Sequence, residues 1–138
     1  MSGSWSVALL LLRVVAGAAF VIHGWSKIQR PRTWMGPRSS TPGVLQALAA
    51  FSEFGGGLAW IAGLMVPLAS LGIACTMVVA VLRHAFVRRD PFVGEGASYE
   101  LAAAYFCIAI VLLLCGPGRY SVDYAVEQMR RSTSQVRP

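Results

Sequence analysis

Seven polar residues interrupt or border the long apolar stretches of this chain and could act together: His23, Lys27, Glu53, Arg83, His84, Tyr99 and Glu100. Glu53 carries the most information. It lies well inside an apolar run and is followed by Gly55, Gly56 and Gly57. A carboxylate facing lipid at that depth costs ~2.5 kcal/mol or more. Glu53 is therefore expected to face other helices, protonated or paired with Lys27, Arg83 or His23. Such a set could hold the head of a quinone. That ligand needs donors to its two carbonyls, an apolar slot for its tail and groups that pass protons. His23 or Lys27 could donate, and Glu53 or Glu100 could relay. A purely structural alternative stands beside this: a charge pair that fixes helix register, with Lys27 snorkelling to the water interface. His23 and His84 fall on different helices, as axial haem ligands would, but two histidines alone are weak grounds for haem.

A second group lies elsewhere. Arg13 sits inside the first apolar run, and Arg119-Tyr120-Ser121-Val122-Asp123 follows the helix-ending Gly116-Pro117-Gly118. Arg13 could pair with Asp123, or with the orphan carbonyls that end the helix near Gly116. Arg13, Arg119, Ser121 and Asp123 thus form a candidate structural clamp. No metal site is expected. Cys75, Cys107 and Cys115 all lie in apolar runs without a CxxC or a Cys/His cluster. They are read as small buried side chains for helix packing.

The elements that position these residues follow from composition. The chain has 138 residues, 56% hydrophobic and 13% charged. A soluble domain of this size would need more charge to cover itself. The apolar residues come in long runs, so the expected fold is all-α: a four-helix transmembrane bundle in a single membrane domain, with spans near 5–27, 44–66, 68–87 and 99–115. A short amphipathic helix lying on the membrane is expected at 121–131, capped by Ser121. The residues from Ser132 onward look disordered. The loop from Gln29 to Gly43 is broken by Pro31, Pro37 and Pro42, with Trp34 and Met35 placed to dip into the interface. Met65-Val66-Pro67 is expected to turn between the second and third helices. Gly55, Ala59 and Gly63 form a small-residue stripe suited to close helix approach.

Alternating span direction sorts the polar residues by depth. His23, Lys27, Glu53, Arg83, His84, Tyr99 and Glu100 share one membrane face, the near face, and the clamp residues lie at the other. At 100° per residue, Arg13, Gly17, Phe20, Gly24 and Lys27 keep to one broad side of the first helix. The formal net charge of +6 sits in loops and tail, the expected pattern for membrane helices, and no basic patch with interleaved aromatics points to nucleic acid. Ala16-Gly17-Ala18 has the form of a cleavage site. No Lys or Arg precedes the first run, however, and Arg13 interrupts it, so the run is read as a retained helix. The near face carries Lys27, Arg30, Arg32, Arg38, Arg83, Arg88 and Arg89, and the far face Arg119, Arg130, Arg131 and Arg137. The bias places the near face in the cytoplasm.

These motifs resemble the DoxX family of small bacterial membrane proteins. The residues that carry the resemblance are Arg13, Gly17, Phe20, His23-Gly24 and Lys27, then Glu53, Gly56-Gly57-Leu58 and Gly63-Leu64. They continue with Tyr99-Glu100-Leu101 and with Gly116-Pro117-Gly118-Arg119-Tyr120-Ser121-Val122-Asp123. The resemblance implies a four-helix bundle in the bacterial inner membrane. It also implies redox company, since some relatives are associated with membrane oxidoreductase complexes, including a quinone-linked one, and others with thiol-handling partners. It supplies no agreed catalytic residues. The expected partners are the lipid bilayer, redox proteins and a quinone. The expected role is a subunit of a redox complex, catalytic or not. The alternatives are a non-enzymatic scaffold that anchors partner proteins, and a small-molecule transporter that would need a homo-oligomer.

Overall fold

A computed structural model describes residues 3–135. Among these residues the elements are α1 (Gly3–Ile28), α2 (Gly43–Ala62), α3 (Val66–Leu82), α4 (Glu100–Cys115) and α5 (Val122–Gln135), and there are no strands. A π-helical turn, Arg83–Arg88, continues α3. Three stretches are long and apolar enough to cross a membrane: Gly3–Ile28, Gly43–Ala62 and Val66–Arg88. The apolar α4 is shorter, about 24 Å at 1.5 Å per residue. The protein is a multi-pass helical membrane protein, and its outer surface is apolar where lipid must cover it, at residues such as Leu11, Val15, Ile22 and Leu114.

The two tryptophans of α1 set a scale for depth. Trp5 and Trp25 are both exposed, and the helix between them spans ~30 Å, the thickness of a bilayer's hydrocarbon core. Indole rings favour the two membrane–water boundaries. Lys27 therefore lies just outside the near boundary, whereas Arg13 lies within the hydrocarbon depth.

The helices pack in sequence, α1 on α2, α2 on α3 and α3 on α4, with α4 closing lightly onto α1. Phe20 joins these layers. Its ring meets Trp60 edge-on at 5.6 Å and Tyr105 at 4.8 Å. Trp60 is wholly buried, and its Nε1 donates to Ser70 Oγ at 3.0 Å, so the indole leaves no orphan donor in the core. The close contact between α1 and α2 depends on glycine. A Cβ on Gly17 would stand 2.7 Å from the Gly57 carbonyl, and one on Gly57 would stand 2.8 Å from that of Gly17. Gly24 meets the Phe54 backbone in the same way, at 2.8 Å. Of the expected stripe of Gly55, Ala59 and Gly63, Gly63 makes a close approach, where a Cβ would stand 2.6 Å from Ser121 Cβ, but Gly55 does not. A Cβ on Gly55 would meet nothing within 4 Å, and Gly56 rather than Gly55 faces Ile73 of α3. Three successive glycines leave the phase of α2 open in sequence, and the neighbours decide it.

The α2–α3 turn falls earlier than Met65-Val66-Pro67. Gly63 takes up φ 70°, and its N–H reaches the Trp60 carbonyl while Leu64 N–H reaches that of Ala59. This glycine-ended pattern stops α2 at Ala62. The three cysteines are exposed on the outer surface, not buried. Apolar runs in a membrane helix include the lipid-facing side, so their presence in a run does not place them inside. The tail helix α5 runs on through Gln135, past the expected start of disorder at Ser132. Glu127 accepts a hydrogen bond from Arg131 Nε at 2.8 Å, one turn on, and holds that guanidinium above its ordinary pKa. Arg137 and Pro138 lie outside the described residues.

Candidate functional site

At the near face, Lys27 of α1 and Glu53 of α2 form an ion pair at 2.5 Å. Glu53 is buried, with 5% of its side chain exposed, and Lys27 keeps 23%. Gly24, one turn before Lys27, lets α1 approach α2 closely enough for the two charges to meet. The Lys27 ammonium also lies 4.6 Å from the ring centre of Trp34, a cation–π arrangement.

Trp34 belongs to the loop between α1 and α2, and that loop is pinned by one buried residue, Gln46, through its backbone carbonyl and its side-chain amide. The Gln46 carbonyl accepts from Trp34 Nε1 at 3.0 Å, its Oε1 accepts from Met35 N–H at 3.1 Å, and its Nε2 donates to the Thr41 carbonyl at 2.9 Å. Sequence reasoning missed Gln46. The available signal was the same as for Glu53: a polar side chain in a membrane helix requires internal partners. Arg83 reaches the same loop from the π-helical turn, with Nη1 at 3.3 Å from Thr41 Oγ1 and 3.5 Å from Met35 Sδ. Beside the pair opens a cavity of about 690 Å³, lined by the end of α1 and by the loop, including Ser26, Lys27, Arg30 and Trp34.

The other near-face candidates stand apart from this pair. His23 is exposed, and its Nδ1 lies 2.8 Å from the Ala19 carbonyl within its own helix. His84 Nδ1 is 2.7 Å from Asp90 Oδ2, and Arg88 Nε is 3.4 Å from the same oxygen. These contacts tie off the π-helical turn, which ends at Arg89 with φ 57°. The Tyr99 ring packs on Phe92 at 5.2 Å, and exposed Glu100 sits in the first turn of α4, where a carboxylate suits the helix dipole. Shared depth thus resolves into two separate clusters, one around Lys27 and Glu53, the other around His84 and Asp90. Among the described residues no group of three His, Cys, Asp or Glu side chains could hold a metal ion.

In the far leaflet, Arg13 is fully buried. Its Nη1 donates to the Pro117 carbonyl at 2.6 Å and its Nη2 to that of Tyr120 at 2.5 Å. Of the two partners left open by the sequence, the carbonyls hold it. Asp123 instead caps α3. Its Oδ1 accepts from Met65 N–H at 2.7 Å, its Oδ2 from Val66 N–H at 2.9 Å, and its own N–H donates to the Gly63 carbonyl at 3.0 Å. Ser121 Oγ accepts from Tyr124 N–H at 3.1 Å, capping α5, and donates to the Gly118 carbonyl. Arg119 is exposed. Arg13, Ser121 and Asp123 therefore fasten α1, the α2–α3 turn and the start of α5 together.

The sequence matches the DoxX family profile over residues 8–87. The chain belongs to the DoxX family. The matched stretch of this DoxX protein runs from α1 to the π-helical turn and includes Arg13, Lys27, Gln46, Glu53 and Arg83. It is also similar to the inner membrane protein YqjF of Escherichia coli (strain K12), at 30% identity over 127 residues, covering 85% of this chain and 90% of that protein. No solved structure matches it.

Proposed function

We propose that this DoxX protein is a subunit of a redox complex in the bacterial inner membrane, and that its near-face cavity receives the head of a quinone. The Lys27–Glu53 pair beside that cavity carries the reading. A quinone supplies two-electron, two-proton redox chemistry, and it reaches a protein from within the bilayer. The residues present suit it. The Lys27 ammonium has three donors and commits one to Glu53, leaving others for a carbonyl oxygen. The Trp34 indole offers a flat apolar wall. Glu53, buried behind Lys27, holds the ammonium in place and can accept a proton from it. The inner-membrane location follows from the similarity to YqjF. Purified protein in nanodiscs should bind ubiquinone or menaquinone, with quenching of indole fluorescence that is lost in Trp34→Leu and weakened in Lys27→Met. Absence of quinone from lipid extracts, together with no binding of added quinone, would overturn the reading.

A second reading is a scaffold that docks partner proteins on α5, whose residues Val122, Val126 and Met129 are exposed. Truncation after Asp123, which keeps the α3 cap, should then release partners while the bundle stays folded. Co-purification untouched by that truncation would exclude docking on the tail.

A further inference from the structure

The near-face cavity has a second chemical character, which does not rest on the quinone reading: an anionic group held there would draw on the same Lys27 donors and compete with a quinone head. Its lining carries two cations, Lys27 and Arg30, and no carboxylate. Neutral donors stand beside them: the Thr33 hydroxyl and the Gln29 amide, while the Ser26 hydroxyl turns back to the His23 carbonyl at 3.5 Å. Glu53 draws on Lys27 but does not line the cavity, and Arg30 is exposed toward it with no acidic partner at salt-bridge distance among the described residues. The position is equally specific. Arg30 and Thr33 lie beyond Trp25, at the depth of lipid headgroups. Trp34, half-buried over Lys27, closes the inner side.

A concave site rich in donors, positive, and set at headgroup depth matches a phosphate group borne by a membrane lipid. We propose that this cavity is a binding site for the phosphate of an acidic phospholipid, with Arg30 as the principal charge, Lys27 sharing its free donors, and Thr33 as a hydroxyl donor. Arg32 and Arg38, exposed on the same loop, extend the positive field around the entrance. Free phosphate offers the same chemistry, but the site opens where lipid phosphates are already concentrated. The assignment is therefore to the lipid.

The test uses the full chain in nanodiscs. One set contains phosphatidylcholine alone and the other contains phosphatidylcholine with one-fifth phosphatidylglycerol. Native mass spectrometry after gentle detergent release counts retained lipids. The wild type should retain phosphatidylglycerol in preference to phosphatidylcholine. Arg30→Gln should lower that preference by about fivefold, the effect of one cation near the surface. Thr33→Val should lower it less. Arg131→Gln, on the far-face tail, should leave it unchanged and controls for total charge. Millimolar inorganic phosphate should not displace the lipid. Equal retention of both lipids would overturn the proposal. So would an unchanged preference in Arg30→Gln, an equal loss in Arg131→Gln, or displacement by inorganic phosphate, which would reassign the site to the free anion. Far-UV circular dichroism of each variant confirms folding.

Discussion

The two members of the Lys27–Glu53 pair should respond unequally to removal. Losing one partner of a buried ion pair typically costs ~3–5 kcal/mol, because the other charge is stranded. Here the two stranded charges would have different escapes. Lys27 is 23% exposed and lies just beyond Trp25, so in Glu53→Gln its ammonium can reach headgroup water. The glutamine also keeps shape and one hydrogen bond. The expected loss is about 0.5–1.5 kcal/mol, the net value of an ordinary hydrogen bond. Glu53 is 5% exposed and is held inside the bundle by α2, so in Lys27→Met its carboxylate has no comparable exit. That variant should lose ~3–5 kcal/mol. Glu53→Ala should fall between them, adding a cavity to the lost bond. The double variant Lys27→Met with Glu53→Leu should recover most of the loss, since an apolar pair of similar volume removes both desolvation penalties. Equilibrium unfolding in mixed detergent and SDS, followed by far-UV circular dichroism, measures all four, and Glu53→Leu alone completes a double-mutant cycle that isolates the coupling. Two results would refute the reasoning: Lys27→Met no worse than Glu53→Gln, or a double variant no better than Lys27→Met alone.

Gly17→Ala and Gly57→Ala should each destabilise by ~1–3 kcal/mol in the same unfolding assay, because the added Cβ meets facing backbone carbonyls at 2.7 and 2.8 Å. Gly55→Ala, with nothing within 4 Å, should be neutral or slightly stabilising. Asp123→Ala should cost ~0.5–2 kcal/mol through loss of the α3 cap, and limited proteolysis should then cut sooner before α5. Arg13→Lys should destabilise by ~1–3 kcal/mol, since one ammonium cannot reproduce the two-pronged contact with the Pro117 and Tyr120 carbonyls. A C-terminal reporter pair should find alkaline phosphatase active and green fluorescent protein dark, because near-face cations favour a cytoplasmic near face.

How much of this was legible in the sequence depends on whether a feature is local or is decided by a neighbour. Hydropathy is local, so the existence and order of the apolar helices could be read directly. Caps made by adjacent residues are local too, which is why Ser121 could be placed at the start of α5. Span alternation gives depth, and depth grouped Lys27 with Glu53. Depth does not give azimuth. His23 shares the level of Lys27 and lies one turn before it, yet it stays on the outer surface of α1 while Lys27 turns inward. The same gap explains Cys75, Cys107 and Cys115, whose runs were visible but whose sides were not. It also explains Gly56 and Gly57 taking the contacts expected of Gly55. Long-range capping is less legible still. Asp123 serves the N-terminus of α3 from 57 and 58 residues away along the chain, and nothing near Met65 or Val66 signals the need. Gln46 belongs between these cases. A buried amide in a membrane helix must find partners, and a Pro-rich loop rich in free backbone groups lies immediately before it. A rule requiring each polar residue inside an apolar run to name its hydrogen-bond partners would have placed Gln46 beside Glu53, and with it the loop that carries Trp34 over Lys27.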